Sequence, residues 1–130
     1  FEMLFLSVVR LARLVTEPMR QQGGGAIVNI SACDSQEPSL GTPFSGTLRA
    51  AMEGFTKLYA QRYRSEHIRM NCIAPYFVAD SLEELAGWNV PSDLMWGRPA
   101  TYAELAKTVV FLISDDAKFI SGTTLKVDEA

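Results

Sequence analysis

The sequence predicts an α/β fold, a parallel sheet flanked by helices. Two observations carry this. Stretches with apolar residues at three- and four-residue spacing alternate with short β-branched runs, giving the order helix-strand-helix-strand-helix-strand. Glycine or proline punctuates the joins, at Gly23-Gly24-Gly25, Pro43 and Pro75. Such alternation implies parallel strands joined by right-handed crossovers.

Residues 1–22 place Leu4, Val8, Leu11, Val15 and Met19 at helical spacing, and the glycine triplet ends that helix. The triplet lies before a strand, whereas a phosphate-cradling glycine turn follows a strand and opens a helix. A stop and turn is therefore the better reading. Ala26 to Ser31 reads as a short buried strand, and residues 33–42 as a polar loop leaving its C-terminal end. Pro43 suits the opening of a second helix, residues 43–66, with Thr42 available as its cap. Leu48, Met52, Phe55 and Tyr59 make the apolar stripe of that helix, flanked by Ala51, Leu58 and Tyr63. Ile68 to Ala74 is a second strand, stopped by Pro75. Residues 76–100 hold both tryptophans and show no clean period. Tyr102 to Ser114 is a third helix and Gly122 to Asp128 a third strand. Ligands of parallel sheets bind beyond the strands' C-terminal ends, which is where the loops 32–43 and 75–99 would lie.

The chain has 130 residues, enough for one domain with a core. Its composition, 48% apolar and 21% charged, is that of an ordinary globular protein. A net charge of −3 argues against a nucleic-acid surface, which needs a concentrated basic face. No apolar run approaches the roughly 20 residues of a membrane span; Glu2, Arg10 and Arg13 interrupt the most apolar stretch. The N-terminus has no signal-peptide layout. Cys33 and Cys72 are too far apart for a Cys-x-x-Cys unit and have no His or Cys company, so no metal site is expected. Both read as reduced thiols of a cytoplasmic protein. Phe1 falls inside a helical pattern, so a longer parent chain is expected.

Four motifs stand in order along the chain. Arg20-Gln21-Gln22-Gly23-Gly24-Gly25-Ala26-Ile27-Val28-Asn29 runs into Asn29-Ile30-Ser31-Ala32. Ser45-Gly46-Thr47-Leu48-Arg49-Ala50-Ala51-Met52-Glu53-Gly54 follows, then His67-Ile68-Arg69-Met70-Asn71-Cys72-Ile73-Ala74-Pro75, then Ile120-Ser121-Gly122-Thr123-Thr124-Leu125-Lys126-Val127-Asp128. Together they resemble the C-terminal half of the short-chain dehydrogenase/reductase family. The resemblance implies a Rossmann-like parallel sheet with flanking helices, C-terminal portion only, of three strands and three main helices. Residues 1–130 would form the C-terminal part of a single domain, with 76–100 as its substrate loop. The family's last strand is followed by a glycine pair, where this chain has Glu129-Ala130.

The family's catalytic serine, tyrosine and lysine fall on Ala32, Ser45 and Arg49. In the family the tyrosine phenol moves a proton at the substrate oxygen, the lysine lowers the phenol's pKa and holds the nicotinamide ribose, and the serine orients the carbonyl. Ala32 has no polar atom. Ser45 is a far poorer acid than a phenol. Arg49 keeps the charge and can bond to ribose but does not exchange a proton. The resemblance places cofactor contacts at Asn29, Arg49, Pro75 and Val78. Tyr76 replaces a glycine beside the nicotinamide position, where its ring would obstruct the cofactor or supply a displaced phenol; Asp80 stands where a threonine commonly contacts the cofactor. Ser31 cannot stand in for the lost serine, because neighbouring strand residues face opposite sides of a sheet.

Among the remaining candidates, His67 reads as a helix-ending cap, and Glu83, Glu84 and Asp93 as solvated groups. Trp88 and Trp96 would either line a substrate lid or close the loop over the core. NAD or NADP is expected only together with the family's N-terminal half, which carries the glycine-rich phosphate turn. This segment alone is not expected to hold a dinucleotide tightly. A small carbonyl or alcohol substrate and homo-oligomerisation through helices 1–22 and 43–66 are implied, with no nucleic-acid or membrane partner. Two readings stay open: an oxidoreductase with an altered site, or a catalytically silent homologue serving as a binding or oligomer-forming module.

Overall fold

The computed structural model describes residues 1–128; Glu129 and Ala130 lie outside the described residues. Helix α1 (Ser7–Gln21) is preceded by a π-helical turn, Glu2–Leu6. Strand β1 (Gly25–Ile30), helix α2 (Pro43–Tyr63), strand β2 (Ile68–Pro75), helix α3 (Tyr102–Ile113) and strand β3 (Thr124–Val127) follow. The strands form a parallel sheet in the order β1-β2-β3, with Ile30 opposite Ile73 and Pro75 opposite Val127. All of their C-terminal ends meet at one edge of the molecule, from which the loops 31–42 and 76–101 emerge.

The buried face of α1 and the turn before it keeps most of the stripe its spacing suggests, with Leu4, Val8, Val15 and Met19 half-buried and Leu11 the exception. Leu11 is 60% exposed, while Ala12 and Thr16 are the buried residues of the helix. Their small side chains let α1 approach α2 closely enough for Thr16 Oγ1 to meet the Tyr59 hydroxyl at 2.6 Å. Around that contact Ala12, Tyr59, Ala60, Ile68 and Met70 form one core, joined by Met19, Ile27, Phe55 and Tyr63. Thr42 precedes α2 but makes no side-chain cap bond, contrary to expectation; Pro43, with no N–H to satisfy, opens the helix instead. A 3-10 turn, Arg64–Glu66, then closes it, and His67 ends the turn in the left-handed conformation at φ 58°. Its carbonyl passes so near Gly24 that a Cβ there would come within 2.8 Å of it. That close approach explains a glycine at the entry to β1.

Helix α3 lies on the other face of the sheet. Leu112 and Ala117 pack with Ile73, Val28 and Val127 in a second core. The strands follow one another in a single direction while α2 and α3 cover opposite faces, so the two crossovers differ in hand. The expectation of right-handed crossovers throughout therefore fails at one of them. The physical reason is that α1 and α2 fill one face, and the apolar residues on the other need their own cover. The long connection 76–101 carries the chain round to supply it. A capping box starts α3: Thr101 Oγ1 accepts from the Glu104 N–H at 3.2 Å, and the Glu104 carboxylate accepts from the Thr101 N–H at 2.8 Å. No helix among the described residues is long and apolar enough to cross a membrane.

Candidate active site

One side of α2 is polar along its length, and each turn of that side is tied to β1 or to the loop after it. At the first turn Ser45 Oγ accepts from Arg49 Nε at 3.2 Å. Arg49 Nη1 donates to the Ile30 carbonyl, the last of β1, at 2.9 Å. One turn further on, Glu53 Oε1 accepts from Ser31 Oγ at 2.6 Å and also from Ser35 Oγ. Next, Thr56 Oγ1 accepts from Asn29 Nδ2 at 2.9 Å and lies 3.2 Å from Cys72 Sγ. Residues four apart on a helix share a face, which is how Ser45, Arg49 and Glu53 line up.

This seam fixes the positions of several expected site residues. Ser45 and Arg49 come together at the C-terminal end of β1, both half-buried. Gly46 permits it: a Cβ there would come within 2.5 Å of the Asp34 carbonyl, so only glycine lets the helix start press against the loop. Asn29, expected among the cofactor contacts, is 8% exposed, and its side-chain amide donates to Thr56. Ala32 follows in an extended conformation, φ −155° and ψ 160°, one residue beyond Ser31, whose hydroxyl is taken by Glu53. Pro75 is buried at the end of β2. Val78 pairs with Ala100 in an isolated parallel bridge, in which the N–H of Ala79 and the carbonyl of Phe77 make the bonds. The N–H and carbonyl of Val78 itself thus stay free of that bridge.

Beyond β2 and β3, Tyr76 separates two clefts. One, of about 500 Å³, is lined by Phe77, Leu94, Trp96, Arg98 and Val127 besides Tyr76. The other, of about 490 Å³, is lined by Cys33, Glu37, Asp93, Leu94 and Asp128 together with Tyr76. The Tyr76 ring packs edge-on against Phe77 with centroids 4.4 Å apart. Burial pushes its phenol up, and the neighbouring Cys33, Asp128, Glu37 and Asp93 push in the same direction. That is the reverse of what a proton-transferring tyrosine needs. Tyr76 stands as a wall of both clefts. Trp96 lines the first cleft, whereas Trp88, 62% exposed, closes over no core. Asp80, at the position where a threonine commonly contacts the cofactor, accepts from the Tyr102 N–H at 3.2 Å and so lies at the first turn of α3.

The cations of this end are held by carboxylates. Lys126 pairs with Glu37 at 2.7 Å and Asp128 at 3.2 Å. Arg98 forks onto both oxygens of Glu104 at 2.7 and 2.8 Å, which holds the Glu104 carboxyl well below the usual range. Cys33 and Cys72 are free thiols, each pushed up chiefly by burial. Glu53, Thr56 and Ser35 escaped the sequence reading. The one available signal was the polar residues interrupting the apolar stripe of α2 at helical spacing.

The fold is a parallel α/β one of Rossmann-like type, with Ser45 and Arg49 at the edge where ligands of such sheets bind. A family model described as Enoyl-(Acyl carrier protein) reductase matches residues 1–129. The 3-oxoacyl-(acyl-carrier-protein) reductase FabG of Chlamydia trachomatis is 32% identical over 126 residues, covering 94% of this chain and 51% of the relative. The acetoacetyl-CoA reductase of Rhizobium meliloti is 33% identical over 115 residues, 85% of this chain and 48% of that protein. The L-sorbose reductase of Gluconobacter frateurii, solved with NADPH and L-sorbose, superposes with a TM-score of 0.85 at 30% identity, over 98% of this chain and 54% of its own. The chain belongs to the short-chain dehydrogenase/reductase superfamily, and it spans about half the length of the curated relatives it matches.

Proposed function

We propose that this chain forms the substrate-side half of an NAD(P)-dependent oxidoreductase with an altered active site, acting on a small carbonyl or alcohol. The observation that carries the reading is Arg49. Its guanidinium is fixed between the Ile30 carbonyl and Ser45 Oγ at the C-terminal end of β1, and its remaining N–H groups make no bond among the described residues. A fixed cation with free donors at that place suits a ribose hydroxyl. The backbone N–H and carbonyl of Val78 suit the nicotinamide carboxamide, and Pro75 shapes the wall beside it. Bound cofactor would supply the hydride. Ser45 Oγ then has one task within reach, a hydrogen bond to the substrate oxygen, with the proton drawn from water in the clefts. The reductase relatives, one of them solved with NADPH, support the class of reaction.

Ala32 and the upward-pushed Tyr76 phenol favour the second reading, a silent homologue kept as a binding or oligomer-forming module. Exposed Leu11, Leu14 and Leu58 on α1 and α2 would then serve an oligomer seam, which the first reading also accommodates. Free thiols at Cys33 and Cys72 fit a cytoplasmic location.

One experiment separates the readings. Ala32→Ser, Ser45→Tyr and Arg49→Lys are introduced together into the full-length protein, with NADPH binding and carbonyl reduction followed side by side. Binding before and after, with reduction already measurable before the substitutions, supports the altered enzyme; reduction that appears only after them shows an intact cofactor site that has lost its acid. Absence of binding in both proteins supports the silent module.

A further inference from the structure

We infer that Glu53 is a positioning residue, the clamp that holds the loop 31–36 against the helix bearing Ser45 and Arg49. The inference rests on the proposed reading only for the name of what is positioned; the clamp is read from geometry. Three side chains of one short segment converge on a single carboxylate. Ser31 Oγ donates to Oε1 at 2.6 Å, Ser35 Oγ donates to the same oxygen, and Gln36 Nε2 reaches Oε2 at 3.4 Å. Ser35 Oγ also lies 2.7 Å from the Ala32 carbonyl, with which the carboxylate shares its one hydrogen; the carboxylate holds the segment at Ser31 and Ser35, on either side of Ala32 and Cys33. Ser31 is 2% exposed, so its hydroxyl has no water to exchange with, and hydrogen bonds to an ionised acceptor are the strong kind.

The consequence concerns the cleft. Cys33 and Glu37 line its wall, and Ala32 stands where the family has its serine. Glu53 lies one helical turn after Arg49. A carboxylate at that place ties the substrate wall to the cation of the site, so that the two move as one body. Without it, the segment 31–36 keeps its backbone bonds, such as Ser31 N–H to the Ile73 carbonyl at 2.7 Å, and the Ser35 Oγ bond to the Ala32 carbonyl within the segment.

The two cysteines give a readout that needs no turnover. Cys33, half-buried, rides on the clamped segment, while Cys72 is 0% exposed in the middle of β2. Burial and the charges of Asp34, Asp128 and Glu37 push the Cys33 thiol up, so labelling is followed across pH to tell a change of exposure from a change of acidity. Thiol-labelling kinetics are measured on the full-length protein and on Glu53→Ala, Glu53→Gln and Ser35→Ala. Loss of bonds to a charged acceptor predicts Cys33 labelling faster by on the order of tenfold in Glu53→Ala. Smaller rises are expected in Glu53→Gln, which keeps an acceptor oxygen, and in Ser35→Ala, with Cys72 protected throughout. Unchanged Cys33 labelling in Glu53→Ala with Cys72 protected overturns the clamp. If Glu53→Ala exposes both thiols together, the milder variants decide: a selective rise at Cys33 supports the clamp, and its absence in both overturns it. NADPH binding, measured in parallel, tests the proposed function separately, since a selective rise at Cys33 stands whether or not the cofactor binds.

Discussion

The guanidinium of Arg49 donates to the Ile30 carbonyl across 2.9 Å, joining the second turn of α2 to the last residue of β1. That carbonyl closes the strand at the end where ligands of parallel sheets bind. The bond turns a side chain of many rotamers into a fixed donor, with Ser45 Oγ as its second support.

Removing the cation should therefore be felt in cofactor binding. Arg49→Ala in the full-length protein is expected to weaken NADPH by on the order of tenfold, the scale of a lost hydrogen bond to a charged group. Arg49→Lys should keep part of the affinity, because the charge remains while the two-point support is lost. Fluorescence titration of NADPH checks both. Equal affinity of wild type and Arg49→Ala would remove Arg49 from the site.

Thr56 should matter for stability and not for ligand binding. It is 1% exposed and bonds both Asn29 and Cys72, so Thr56→Val strands the Asn29 amide in the core. A loss of about 1–3 kcal/mol in unfolding free energy is expected for an unsatisfied buried polar group. Urea unfolding of the full-length protein measures it, and a change within error would show that Asn29 finds another partner.

Acid should act on the start of α3 later than on ordinary carboxylates. Glu104 is held low by Arg98 and by the Thr101 N–H and hydroxyl. Its folded form thus binds a proton less readily than the unfolded chain. The stabilisation is complete above the unfolded glutamate value of about 4.3, and it is lost as pH falls through the lower folded value. The Glu104 carboxyl resonance should stay ionised at a pH well below the ordinary glutamate value of about 4.3, and Arg98→Ala should bring it back towards that value. A Glu104 titration unchanged by Arg98→Ala contradicts this.

The outer faces of α1 and α2 carry Leu14 at 70% and Leu58 at 67% exposure. If they form the proposed oligomer seam, Leu14→Glu with Leu58→Glu should lower the mass seen by sedimentation, because charges buried in such a seam are left unpaired. A wild-type protein that already sediments as a monomer would remove the seam.

Much of this was legible in the residues themselves. Hydrophobic period and punctuation placed the helices and strands, since both depend on local spacing and on Gly and Pro backbone limits. The motif order around Ser45, Arg49 and Pro75 also pointed to the C-terminal edge of the sheet, where Ser45 and Arg49 meet. Boundaries slipped where local signals were weak: β3 covers Thr124–Val127 only, and Thr42 leaves α2 without a side-chain cap.

Tertiary structure decided the rest. That Ala12 and Thr16 fill the most buried part of α1, and Leu11 drops out of it, depended on how closely the helix approaches Tyr59, a distance no periodicity contains. The side of the sheet taken by α3 depended on which apolar face α1 and α2 had left open. Asn29, Ser31 and Glu53 are far apart in sequence and acquire their roles only when α2 lies across β1. A polar residue in a pattern states what it can bond; folding determines whether its partner is a ligand, as proposed for Arg49, or the core, as found for Asn29.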